Sequence, residues 1–171
     1  AQLGLSAAGA GDVDGDGYGG LLVGAGLYDA GSLDEGAVFV FSGSATGIAN
    51  GSPSTAHARF ETDQAPVSGV PAGITASSAG DVNGDGFGDV VVHSERFDSG
   101  ELREGAAFVL LGSTTGIPNA NPATAHARFE SNQADAGDGS HAFSPGDVNG
   151  DGYADLLFSV PRYTDEEVEE G

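Results

Sequence analysis

The sequence predicts an all-β fold assembled from blades of four short antiparallel strands. Three observations lead there. The chain repeats itself over most of its length. Its apolar residues fall in short runs separated by glycine, aspartate and asparagine. No stretch shows a convincing helical period.

The repeat is clearest in three segments: Gly11-Asp-Val-Asp-Gly-Asp-Gly-Tyr18, Gly80-Asp-Val-Asn-Gly-Asp-Gly-Phe87 and Gly146-Asp-Val-Asn-Gly-Asp-Gly-Tyr153. Their first aspartates, Asp12, Asp81 and Asp147, lie 69 and then 66 residues apart. The likeness continues beyond these segments. Gly36-Ala-Val-Phe-Val-Phe41 matches Gly105-Ala-Ala-Phe-Val-Leu110, and Thr55 to Glu61 recurs unchanged as Thr124 to Glu130. Two full repeats and the first part of a third are therefore expected, over residues 1–69, 70–137 and 138–171.

Each repeat reads as four strands. The first leads into the aspartate segment, through Leu5 to Ala8 or Ile74 to Ser77. The second leaves it, as Gly20 to Val23, Asp89 to Val92 and Asp155 to Phe158. The third follows Gly36 or Gly105, and the fourth is His57 to Glu61 or His126 to Glu130. Runs of four to six apolar and β-branched residues bounded by turn formers fit strands. Such continuous runs suit sheets covered on both faces, as in the stacked four-stranded sheets of a β-propeller.

Composition narrows the function. The 171 residues include 30 Gly but no Cys, Met, Trp or Lys, and the formal charge is -21. So acidic a chain repels phosphates and anionic lipid surfaces, which argues against nucleic acid and membrane surfaces as partners. No run is long and apolar enough to cross a bilayer as a helix, so no membrane insertion is expected. Aspartate gathered into metal loops explains part of the charge, and salt adaptation is the competing account for the rest.

The aspartate segments carry the chemistry. In Asp81 to Asp89, side-chain oxygens stand at loop positions 1, 3, 5 and 9, as Asp81, Asn83, Asp85 and Asp89, and Phe87 at position 7 offers its carbonyl. Alternate residues of a loop curled around a cation point inward, and glycines permit the tight turns. Hard oxygen donors on a flexible loop suit Ca2+ better than zinc, copper or magnesium. The third loop repeats the set with Asp147, Asn149, Asp151, the Tyr153 carbonyl and Asp155. The first offers Asp12, Asp14, Asp16 and the Tyr18 carbonyl, but Gly20 replaces the last aspartate, so weaker binding or a water in that place is expected there. Asp-Gly and Asn-Gly also form plain turns, but turn formation does not require oxygen donors at alternate positions in three aligned copies. An EF-hand loop would place a carboxylate at position 12 and continue into a helix. Here position 12 is Val23, Val92 or Phe158, each in an apolar strand.

These loops, followed by Leu21-Leu-Val-Gly-Ala-Gly26 and then Gly36-Ala-Val-Phe-Val40, resemble FG-GAP repeats. The name-giving dipeptide is replaced by Leu3-Gly4, Ala72-Gly73 and Asp138-Gly139, and the second motif by Gly24-Ala-Gly26, His93-Ser-Glu95 and Ser159-Val-Pro161. The resemblance implies a seven-bladed propeller like that of integrin alpha subunits. It also implies calcium clips between the first two strands of each blade and an extracellular setting. Within that reading the protein is a binding, adhesion or surface-structure module for a protein or glycan ligand. The alternatives are a non-catalytic propeller part of a secreted polysaccharide- or lipid-degrading enzyme, and a lectin. Further partners would be the remaining blades of a longer chain, or copies of this one, since two and a half repeats leave a blade face and a strand edge open.

No catalytic residue is assigned, and the protein is not expected to be an enzyme. His57 and His126 occupy matching repeat positions, which favours a structural role. His93 and His141 are placed near the loop rims without a paired serine or cysteine. Arg59 with Glu61, and Arg128 with Glu130, share a strand face and are expected to pair. Asp34, Glu35, Glu101 and Glu104 are expected in a solvated loop.

Overall fold

The computed structural model describes residues 2–29, 31–65 and 73–165. Ala72, the expected repeat boundary at 69 and 70, and the acidic residues 166–171 lie outside them. Ten strands form in the order β1 (Leu3–Gly11), β2 (Gly20–Ala25), β3 (Ala37–Phe41), β4 (Ala58–Glu61), β5 (Ile74–Gly80), β6 (Asp89–Ser94), β7 (Ala106–Leu110), β8 (Ala127–Glu130), β9 (His141–Gly146) and β10 (Asp155–Ser159). The helical content among the described residues is one 3-10 turn, Pro53–Thr55.

The strands form two four-stranded sheets, β1-β2-β3-β4 and β5-β6-β7-β8, and a two-stranded sheet, β9-β10. All pairings within them are antiparallel between consecutive strands. This is the architecture of β-propeller blades. The first strands run longer than the apolar pattern alone indicated, because Gly and Ser also join the ladder.

Burial follows the pleat. Leu22, Val40 and Ala58 stand opposite one another on one face of the first blade, as do Val38 and Phe60. They pack against Ile74, Val90, Val92, Phe108 and Leu110 of the second blade in one core. On its other face the second blade sends Ala79, Val91 and Ala107 against Ala142, Leu156 and Phe158 of the third. The central strands of the second blade are therefore covered on both faces, which is why Asp89–Ser94 and Ala106–Leu110 are buried throughout. The ladder breaks beside each aspartate loop, between Gly9 and Gly11, Ser78 and Gly80, and Asp155 and Leu157. Gly11, Gly80 and Gly146 sit at these breaks with φ of 77, 73 and 92°. Bulges of this kind bend a strand and re-aim its end, and here they turn the chain into the loop.

A candidate cation-loop rim

The three aspartate loops share one hydrogen-bond scheme. The Asp12 carboxylate accepts the N–H groups of Gly15 at 2.8 Å, Asp16 at 3.1 Å and Gly17 at 2.9 Å. Asp81 accepts those of Gly84, Asp85 and Gly86, and Asp147 those of Gly150, Asp151 and Gly152. The position-5 carboxylate in turn accepts the N–H of position 7: Asp16 from Tyr18, Asp85 from Phe87, and Asp151 from Tyr153. Each loop is thus wound around its first aspartate. These bonds hold the Asp147 carboxyl below the usual carboxylate range, the bond from Gly152 contributing most. Winding needs positive φ at positions 4 and 6, and Gly15 and Gly17, Gly84 and Gly86, and Gly150 and Gly152 all adopt it. An L side chain rarely does.

In the first loop the side-chain oxygens come together. One oxygen from each of Asp12, Asp14 and Asp16 lies within 4.8 Å of the others, a group that could hold a metal ion. In the second and third loops, Asn83 and Asn149 take the place of Asp14, and their amides donate to Asp85 and Asp151 at 2.9 Å. The ninth residue lies at the base of the loop. Asp89 is fully buried, accepting the N–H groups of Val82 and Gly112, each at 2.8 Å. Burial pushes its carboxyl up, against those two bonds, and the Asp85 and Asp81 charges push it further. Asp155 accepts the N–H of Val148 in the same way. Each loop therefore carries three carboxylates. In the first, the third carboxylate has moved from position 9 to position 3. The donors are all oxygen, with no nitrogen or sulfur ligand, and this set fits a hard divalent cation such as Ca2+. Position 9 of the first loop is closed sterically: a Cβ on Gly20 would lie 2.7 Å from the Phe41 carbonyl oxygen.

Residues 73–110 and 141–171 match the FG-GAP repeat family model. They are FG-GAP repeats. The matched ranges contain the two loops that keep a ninth-position aspartate. The first repeat lies outside the matched ranges and resembles the second within the chain. No curated protein matches the chain. FG-GAP repeats build β-propellers and are generally non-catalytic modules, in keeping with the sheets seen here. Among the described residues no helix is long and apolar enough to cross a membrane.

The remaining candidates divide. Arg59 pairs with Glu61 and Arg128 with Glu130, as their strand spacing predicts. His57 serves structure, its Nε2 lying 2.9 Å from the Thr115 carbonyl of the next blade. Two expectations need correction. Glu35 and Glu104 are not solvated: both are buried, and Glu35 accepts the N–H groups of Gly31 and Ser32 while Glu104 accepts that of Ser99 at 2.6 Å. They tie down the turn between second and third strands. Their matching places before Gly36 and Gly105 were the available sign. Glu35 also lies with Glu61 and Asp63 in a second acidic group whose oxygens are within 4.8 Å of one another.

His93, expected near a loop rim without a serine, is instead buried in β6, with Nε2 2.7 Å from Ser140 Oγ. Ser140 commits its single hydroxyl hydrogen to the Gly137 carbonyl at 2.5 Å. It must therefore accept from His93, and the imidazole carries its proton on Nε2. Nδ1 is left without a hydrogen-bond partner. A base that donates to the hydroxyl cannot take its proton, so this pair is not arranged for nucleophilic catalysis. Burial, and secondarily the neighbouring His141, push the His93 pKa down to about 4.

Proposed function

We propose that this chain is a calcium-stabilised extracellular propeller module whose task is to bind a protein or glycan, in adhesion or at a surface. The observation that supports it is the threefold recurrence of one wound loop with hard oxygen donors at positions 1, 3 and 5, with an aspartate, Asp89 or Asp155, at the ninth position in two of the three. Asp12, Asp14, Asp16 and the Tyr18 carbonyl would hold one cation. Asp81, Asn83, Asp85, the Phe87 carbonyl and Asp89 would hold a second. Asp147, Asn149, Asp151, the Tyr153 carbonyl and Asp155 would hold a third. The ion supplies the positive charge that three clustered carboxylates lack, so binding feeds into folding stability. Millimolar calcium outside cells fills sites too weak to be occupied inside them.

The test is thermal unfolding with calcium and with a chelator, joined to a calcium titration. A rise in melting temperature with two strong sites and one weaker site supports the assignment. Equal melting temperatures and no binding would reduce the loops to plain turns.

A further inference from the structure

Neighbouring loops touch through the residues that stand at their fourth and seventh positions. A Cβ placed on Gly15 would lie 2.7 Å from the Phe87 ring, and one on Gly84 would lie 2.6 Å from the Tyr153 ring. The position-7 aromatic of one loop thus lies against the position-4 glycine of the loop before it. Backbone bonds run alongside: Gly88 N–H donates to the Asp12 carbonyl and Ala154 N–H to the Asp81 carbonyl, both at 2.7 Å. The donor in each case is the N–H of the peptide whose carbonyl is the position-7 donor. In a trans peptide the two groups point in opposite directions. The Phe87–Gly88 peptide therefore gives its hydrogen to the first aspartate of the preceding loop and points its oxygen away from that loop. The Tyr153–Ala154 peptide does the same one blade further on.

We propose that these peptides couple the cation sites of neighbouring blades, so that filling one loop strengthens binding in the loop before it. This inference rests on the calcium reading above. A cation drawing on the Phe87 carbonyl polarises the same peptide and makes Gly88 a better donor to Asp12. It also fixes the Phe87 ring against Gly15, which narrows the conformations the first loop must give up on binding. Coupling free energies are reciprocal, so the first loop strengthens the second equally. The first and third loops share no such contact and communicate only through the second. The first loop, which lacks a ninth-position side chain, gains the most in relative terms from an ordered neighbour.

The experiment is a calcium titration of the whole chain followed by the amide NMR signals of Gly17, Gly86 and Gly152, each of which donates to its own loop's first aspartate. It is repeated in Asp147→Asn/Asp151→Asn, which disables the third loop. The expected result is a dissociation constant at the second loop weakened about fivefold, the low end of coupling between linked sites, with a smaller change at the first. Tyr153→Leu, which keeps the carbonyl and removes the ring, should weaken the second loop in the same direction. Unchanged midpoints at Gly86 in both variants, while all three signals respond in the parent chain, would overturn the coupling and leave the calcium reading intact. Equal weakening of the first and second loops would also overturn it, since general destabilisation does not respect blade order. If no glycine signal responds in the parent chain, the calcium reading falls and the coupling with it.

Discussion

Lowering the pH should loosen the contact between the second and third blades through one side chain, His93. The imidazole is buried, its Nε2–H is committed to Ser140, and Nδ1 has nowhere to place a second proton. Its surroundings hold His141, with ring centroids 6.2 Å apart, and the Phe158 ring at 5.9 Å. Glu95 interacts with His141 rather than His93, and its own carboxyl is pushed up by burial. The His93 pKa therefore falls from 6.5 to about 4 on folding. A depressed histidine contributes stability in full above the unfolded value. That contribution is lost as pH falls through the window from about 6.5 to about 4, where the unfolded chain binds the proton and the folded chain does not. At 1.36 kcal/mol per pKa unit this amounts to about 3 kcal/mol. The assay is urea unfolding at intervals from pH 8 to pH 4, with chelator present throughout, on the parent chain and on His93→Val. Valine suits the strand and leaves the Ser140 hydroxyl bonded to Gly137. Asp89, Glu95 and the loop carboxylates titrate in both proteins and largely cancel. The parent's stability relative to the variant should fall by about 3 kcal/mol across the window. A difference that stays constant with pH would refute the reasoning.

Two further predictions concern the loop glycines. Gly84→Ala should cost more stability than Gly150→Ala by at least ~1 kcal/mol in chemical denaturation. Both positions have positive φ, but only Gly84 has a neighbouring ring in the way, and equal losses would show that the ring yields freely. Gly20→Asp, which restores the family's ninth ligand on paper, should lower the melting temperature, at a cost of about 1–3 kcal/mol from overpacking against the Phe41 carbonyl. A stable variant with a tightened first site would show instead that β2 and β3 can part there.

Much of this molecule was legible because repetition and pattern are local properties. The 69-residue and 66-residue spacings, the turn-bounded apolar runs and the alternate oxygen donors gave the strand order and the loops, and the structure adds only a few residues at strand ends. The ion pairs Arg59–Glu61 and Arg128–Glu130 followed from strand periodicity. What escaped were the particular side-chain contacts made with a neighbouring blade. Ser140 stands 47 residues from His93, and nothing in either segment marks the pair. The buried carboxylates Glu35 and Glu104 looked like loop acids because their partners are backbone N–H groups, which any sequence supplies.

The sequence by itself determined the all-β class, the blade unit and the position of each aspartate loop, because these depend on residue type at short range. The tertiary structure decided which apolar positions are covered. Leu5 and Ile74 hold the same place in their repeats, yet Leu5 is 57% exposed and Ile74 fully buried, since among the described residues only Ile74 has a blade packed over it. It also decided that Gly20 leaves no room for an aspartate, that His93 donates to Ser140, and that the loops meet through Phe87 and Tyr153. Packing between blades sets distances that no single repeat encodes, and at this rim those distances turn three separate loops into a connected row.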